Sequence, residues 1–145
     1  KLNTKDEIVA VLDDAGIREI DSIYLPNKAK RLENERIKNW SELADKPILI
    51  TEFYAMAKDT EMQTDIGAGF TVKTQQDRAY FYQHFTLGLL GNKNCVGWHW
   101  FRYRDGWTNT GIVNEQEKPY RLLTQAMQKI NLQAYPLIEF FTSPK

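Results

Sequence analysis

Residues Lys46–Tyr54 read KPILITEFY, and how that stretch folds decides the architecture of the chain. Ile48, Leu49 and Ile50 form a short apolar run that begins after Pro47 and ends on Glu52, with Phe53 and Tyr54 beyond it. Apolar and polar residues do not alternate here, which is the pattern of a strand buried on both faces in a parallel sheet covered by helices. Pro47 suits the first position of such a strand and none further in, because it has no N–H for the ladder. A carboxylate at the end of a buried strand is costly unless it faces an open polar site. Parallel α/β folds place their chemistry at that end of the strands. Glu52 is therefore a candidate catalytic carboxylate; the other reading is an ion-paired acid at the rim of the sheet.

Upstream of this strand, Arg36–Ala44 carries Ile37, Trp40, Leu43 and Ala44 at helical spacing. The charged run Lys28–Arg36 reads as a solvated loop or as the start of that helix. Asn3–Gly16 predicts a helix opened by a Thr4/Glu7 capping box, and Ile17–Leu25 a strand ending at Pro26. Downstream, Ala55–Lys73 is long, polar and without a clear period, and contains Gly67-Ala68-Gly69. It reads as an active-site loop with a glycine bend. Thr74 is a good N-cap for a helix that runs through Tyr80, Phe81, Phe85 and Leu89 to Gly91, with Asp77 in its first turn. Cys95–Phe101, CVGWHWF, is the second firm strand: Val96, Trp98 and Trp100 face one way, Gly97, His99 and Phe101 the other. A loop follows over Arg102–Lys118 with Asp105-Gly106 as its turn. Pro119 fits the first turn of a closing helix, and Tyr135–Phe141 holds Pro136 and promises a short extra element at most.

Strands alternating with helices imply right-handed βαβ units and an α/β fold with parallel strands. We expect one unit over residues 1–145. Within it, 39–54 holds a helix and the Glu52 strand, 55–73 a loop, 74–131 a helix, the last strand, a loop and the closing helix, and 132–145 an extension. Both long loops follow strands, so they share the end of the sheet where ligand sites form.

Composition removes several function classes. The chain has 145 residues, ample for one core but short of the roughly 250 of a complete eight-stranded α/β barrel. Its formal net charge is zero, which gives no electrostatic case for nucleic acid or an anionic membrane. No run approaches the ~18 apolar residues of a membrane span. The single cysteine, Cys95, allows no internal disulfide, and the two histidines, His84 and His99, have no metal-site spacing, so no metal or organic cofactor is expected. Serine-hydrolase, phosphate-loop and dinucleotide signatures are absent. The first residues, KLNTKDE, contain neither an initiator Met nor a signal peptide, as in a fragment of something longer.

What remains is a carboxylate beside aromatics. As a catalyst, Glu52 would attack an anomeric carbon while a second acid, about 5–5.5 Å away in a retaining mechanism, protonates the leaving oxygen. Asp59, Glu61, Asp65 and Asp105 are the candidates for that partner; all lie in loops. Trp98, His99, Trp100, Phe101, Tyr103 and Trp107 form the densest aromatic group, with Asp105 and Asn109 nearby. Flat rings stack on the C–H faces of sugars and the polar residues match their hydroxyls. Trp100 is the preferred platform, and the other reading of the tryptophans is core packing.

At these residues the sequence resembles a known group. KPILITEFYA, then GAGFTVKTQQDRAYFYQHFTLGLL, then CVGWHWFRYRD, in that order, are similar to the C-terminal part of β-agarase-like glycoside hydrolases, nearest to glycoside hydrolase family fifty. The likeness runs from Trp40 to Asn131. It implies the last part of a (β/α)8 barrel, about strands six to eight with their helices. It also implies a retaining enzyme that cleaves β-glycosidic bonds of a galactan-type polysaccharide by a two-glutamate double displacement. Glu52 would be the nucleophile ending strand seven, and CVGWHWF strand eight. Trp98, His99 and Trp100 would lie near the sugar subsite; to these our own reading of the residues adds Tyr54, Asp105 and Trp107 as substrate contacts, with Tyr54 and His99 stabilising charge. The acid/base glutamate of the family ends the fourth strand, which would precede Lys1, so the isolated chain is expected to be inactive. Asn34-Glu35 sits in a charged, helix-like stretch and does not take that role, and IDSIYLPN departs from the family at the sixth strand. The resemblance implies an oligo- or polysaccharide partner, a secreted or periplasmic location, and an exposed barrel edge open to self-association. The competing readings are a non-catalytic carbohydrate-binding module and a small α/β domain with only local likeness.

Overall fold

The computed structural model describes residues 27–67 and 69–143, with side chains from Glu35 onward. The helix and strand expected over Asn3–Gly16 and Ile17–Leu25 lie outside the described residues.

The charged run is helix. α1 spans Asn27–Ala44, so it begins well before the boundary at 39 and includes all of Lys28–Arg36. Lys, Arg, Glu and Ala are strong helix formers, and a one-sided set of apolar residues is enough to dock them. Ile37 and Ser41, one turn apart, are that buried side, while Trp40 and Leu43 are exposed. The helix stops at Asp45, whose left-handed φ of 46° continues no helix. Ser41 Oγ donates to Asn92 Oδ1 at 3.2 Å and Asn94 Nδ2 to Ser41 O at 3.0 Å, tying the end of α1 to the turn before the last strand.

β1, Ile48–Phe53, starts one residue after Pro47 and pairs in parallel with β4, Cys95–Trp100. The register runs from Ile48 opposite Cys95 to Phe53 opposite Trp100, with irregularities on either side of Leu49–Ile50. α2, Gln75–Leu90, makes the crossover between them. Thr74 and Asp77 close a reciprocal capping box: Asp77 N donates to Thr74 Oγ1 at 3.2 Å and Thr74 N to Asp77 Oδ2 at 3.0 Å. The core lies between this helix and the two strands. Phe53 stacks on Phe85 at 4.5 Å between centroids, and Phe81, Tyr82, Leu89 and Leu90 fill the same layer.

Burial of β1 on both faces is not observed. Ile48, Ile50 and Phe53 turn toward α2, whereas Leu49 is 47% exposed and Thr51 and Glu52 are open. Leu49 shares the open face with Gly97, where an added Cβ would lie 3.2 Å from Leu49 Cδ1. Among the described residues the sheet is covered by helices on one side only.

Residues 55–73 are more than a loop. β2, Ala55–Ala57, and β3, Phe70–Val72, pair in parallel, Ala55 opposite Phe70 and Ala57 opposite Val72. Strands of three residues carry no readable period, which is why the sequence reads as a loop. After β4 the chain runs through 101–120 to α3, Arg121–Leu132, which packs Leu123, Ala126 and Ile130 onto the α2 layer. Pro119 falls before this helix, since Tyr120 occupies the N-cap. α4, Ala134–Thr142, takes up most of the expected extension. Pro136 sits in its first turn, where the missing N–H costs nothing, and Leu137 is fully buried.

Candidate functional site

The strand ends set the site. Phe101 N donates to Phe53 O at 3.0 Å, so the chain leaving β4 runs beside the residue that follows Glu52. Glu52 is exposed there, on the rim of a groove of about 480 Å³ that also touches Arg36 and Trp40 of α1, Tyr54 and Gly69. His99 is exposed on the side of the sheet away from α2.

Tyr54 is buried under the glycine bend. Its hydroxyl accepts Gly69 N–H at 3.0 Å and its ring meets Phe101 at 5.6 Å. A Cβ on Gly69 would fall 2.1 Å from the Tyr54 ring, and Gly67 has φ +99° with room only for hydrogen over the Tyr54 oxygen. Glycine at 67 and at 69 thus lets the chain pass over the ring, and Gln63 bridges to Thr108 of the other loop.

Trp98 and Trp100 do not face the open side. Trp98 Nε1 donates to Tyr82 OH at 2.9 Å, and Trp100 Nε1 to Thr110 O at 2.8 Å. Trp100 is ringed by Phe53, Phe81 and Tyr82 and carries the Arg78 guanidinium 5.6 Å from its centroid. Both indoles hydrogen-bond within the helix-side core, the packing reading that the sequence offers beside sugar stacking. In the loop after β4, Trp107 is 86% and Tyr103 68% exposed, and on the Glu52 groove Trp40 is exposed as well.

Asp105 is likewise a scaffold residue. It is buried, its Oδ1 accepts Gly111 N–H at 2.6 Å, and its Oδ2 accepts the Tyr120 hydroxyl and, at 3.4 Å, Asn109 Nδ2. Such a carboxylate folds the loop after β4 around itself. Asp59 is also engaged, accepting Gln75 N–H at 2.9 Å at the start of α2.

The residue that sequence reasoning missed is Arg78. It is 0% exposed, donating from Nε to Ala55 O at 2.8 Å, from Nη2 to Gly111 O at 2.8 Å, and from Nη1 to Gln75 Oε1 at 2.9 Å. Its guanidinium lies between the Trp100 and Tyr120 rings. Gln75 Nε2 and Ala57 N both donate to Asn109 Oδ1, at 2.8 and 3.2 Å. One buried network therefore joins the chain leaving Glu52 to the loop carrying Trp107. The available signal was periodicity, because position 78 falls on the buried side of α2 with Phe81, Tyr82 and Phe85. Burial lowers the Arg78 guanidinium to about 10, opposed by the negative charge of Asp105.

Burial also raises the phenol of Tyr120, helped by its bond to the Asp105 carboxylate, and burial raises that of Tyr82. Above the ordinary phenol value of 10.0 the unfolded chain ionises these groups while the folded chain keeps them neutral. Their contribution is complete below that pH and is lost as pH rises through the folded values. Arg78, lowered to about 10, works in the opposite sense over the same range, so the Tyr120 contribution is read as a difference: from about pH 10 upward the urea midpoint should fall more steeply in the parent than in Tyr120→Phe. Equal pH dependence in the two proteins would contradict this linkage.

Among the described residues no group of His, Cys, Asp and Glu could hold a metal ion, and no helix is long and apolar enough to cross a membrane.

No family model matches the chain. It is 34% identical to β-agarase B of Vibrio sp. strain JT0107 over 68% of its own length, and 35% identical to β-agarase A of the same strain over 65%. It spans only 11% and 10% of those two relatives. Among solved structures, BpGH50 superposes with a TM-score of 0.69 at 46% identity, over 72% of this chain and 23% of that one. The agarase AgWH50C does so with a TM-score of 0.62 at 27% identity, over 70% and 17%. The chain is β-agarase-like, similar to a part of the glycoside hydrolase family fifty structures, and shares with them an α/β arrangement with parallel strands.

Proposed function

We propose that this β-agarase-like segment is the nucleophile-bearing part of a retaining glycoside hydrolase acting on a galactan such as agar. In this reading it is the last portion of a (β/α)8 barrel, in which β1 and β4 are strands seven and eight and α2 is the helix between them. The observation that carries it is the parallel β1–β4 pair with Glu52 exposed at the end of β1, beside an aromatic-walled groove at the end of β4.

Glu52 attacks the anomeric carbon and the glycosidic oxygen departs with a proton from the acid/base residue, giving a covalent glycosyl-enzyme that water then opens. Asp105 and Asp59 are already committed to the loop and to the start of α2, which leaves Glu61 and Asp65 of the four loop acids; in this reading the acid/base is instead a glutamate supplied from outside the described residues. His99, exposed away from the helix layer, would meet sugar hydroxyls, and Trp107 would stack on a ring next to the cleavage point. Tyr54 fixes the exit of β1 through Gly69 and Phe101. The open face of the sheet, with Leu49 exposed, would be the barrel interior; left uncovered, it favours self-association.

Covalent trapping tests this directly. A galactoside with fluorine at C2 and a good leaving group should label the full polypeptide that contains this segment, and peptide mass spectrometry should place the label on Glu52. Labelling of another carboxylate, or a fully competent enzyme that takes no label, would remove the nucleophile assignment.

A further inference from the structure

We infer that the groove at the end of β4 is a subsite for a sugar ring carrying a sulfate ester, with Arg102 as the group that recognises it. The inference rests on the galactan-hydrolase reading above and names a chemical class of its substrate. The groove is an open one of about 370 Å³, lined by Ile66, Phe101, Arg102, Gly106, Trp107 and Thr108, a size within the usual range for small-ligand sites. It adjoins the Glu52 strand, since Phe101 is hydrogen-bonded to Phe53 and touches Tyr54. A ring bound next to the one at Glu52 would meet Trp107 as a flat wall.

Arg102 is what distinguishes this groove from a neutral sugar site. Its guanidinium lies 5.8 Å from the Phe101 ring centroid, and Gly106 passes so close that a Cβ there would sit 1.6 Å from Nη2. Among the described residues it has no ion pair and no side-chain hydrogen bond. Arg104, two residues on, pairs with Glu117 at 3.7 Å, and the donors of Arg78 are filled by backbone and Gln75. Arg102 is thus an exposed cation set beside a ring and a glycine in the groove lining, with no partner among the described residues to neutralise it. A sulfate ester offers several acceptor oxygens to a planar fork and a full negative charge, which a sugar hydroxyl does not.

The test titrates the full polypeptide that contains this segment with a neutral galacto-oligosaccharide and with one of equal length bearing a single sulfate ester, following the Trp107 indole N–H by NMR. The sulfated sugar should bind about tenfold more tightly, the scale of a charge-assisted hydrogen bond. Arg102→Met should bring that ratio near one, and Arg102→Lys should restore only part of it. Gly106→Ala keeps the charge but displaces the guanidinium, and should also collapse the ratio. Inorganic sulfate should compete far less well than the sulfated sugar. Equal affinity for both sugars, or a ratio that survives Arg102→Met, overturns this inference while leaving the proposed function standing. Equal competition by inorganic sulfate also overturns it, in favour of a simple anion site. If neither sugar binds, both this inference and the galactan reading fail.

Discussion

Glu52→Gln in the polypeptide that contains this segment is expected to lower kcat by on the order of 10⁴-fold or more while leaving KM within a small factor. The magnitude follows from removing a covalent nucleophile, whose loss leaves only binding and electrostatic assistance. The unchanged KM follows from the neighbouring surface, because Phe101, Trp107 and His99 would make contacts of equal strength in ground and transition states. Gln is nearly isosteric with Glu, and at an exposed strand end the fold should tolerate it. Single-turnover and steady-state kinetics on a soluble galacto-oligosaccharide measure both quantities. A kcat within about tenfold of the parent would show that another group attacks the sugar. A raised KM at constant kcat would assign Glu52 to binding alone. The same pair of measurements separates an enzyme from a carbohydrate-binding module, since a module loses nothing in turnover.

The second large effect is structural. Arg78→Met should destabilise the chain by about 3 kcal/mol, because it strands two buried carbonyl oxygens and one side chain that now accept from a charged donor. Those acceptors, Ala55 O, Gly111 O and Gln75 Oε1, belong to the exit of β1, the loop after β4 and the first turn of α2. Met fills a similar volume between the Trp100 and Tyr120 rings, so the loss reports the polar network and not a cavity. Urea unfolding gives the value, with the slope unchanged and the midpoint lowered. Arg78→Lys keeps the charge but cannot span both carbonyls, and should fall between the two. If Met proves too disruptive to fold, Lys still decides the matter. A change within about 0.5 kcal/mol for Arg78→Lys would mean that the network contributes little.

Arg78 also shows where legibility in the sequence ends. A helix was readable over 74–91 from its cap and its apolar spacing, and Thr74, Asp77 and Gly91 hold the positions that spacing implies. An arginine on the buried side of such a helix looks like an interruption of the pattern. Its partners are backbone carbonyls at positions 55 and 111, which no local rule brings together. Asp105 makes the same point: an Asp-Gly pair marks a turn, but the donors that meet its carboxylate, Gly111, Asn109 and Tyr120, arrive only when the loop has closed.

The amino-acid sequence by itself determined that a strand carries Glu52 at its C-terminal end, that a capped helix follows, and that Cys95–Phe101 holds a second strand parallel to the first. Each of these rests on short-range physics: strand length, a helix cap, and a crossover too long for a hairpin. Only the tertiary structure decided which face each side chain took. Period-two alternation sorts Trp98 and Trp100 from His99, but it does not say which side the helices cover. That depends on α2 and α3 docking, and it sent the two indoles to the core, leaving His99 and Trp107 exposed. Glu52 could be found from nine consecutive letters, KPILITEFY; the groove beside it needed Phe101, Ile66 and Trp107 to be brought together from two separate loops.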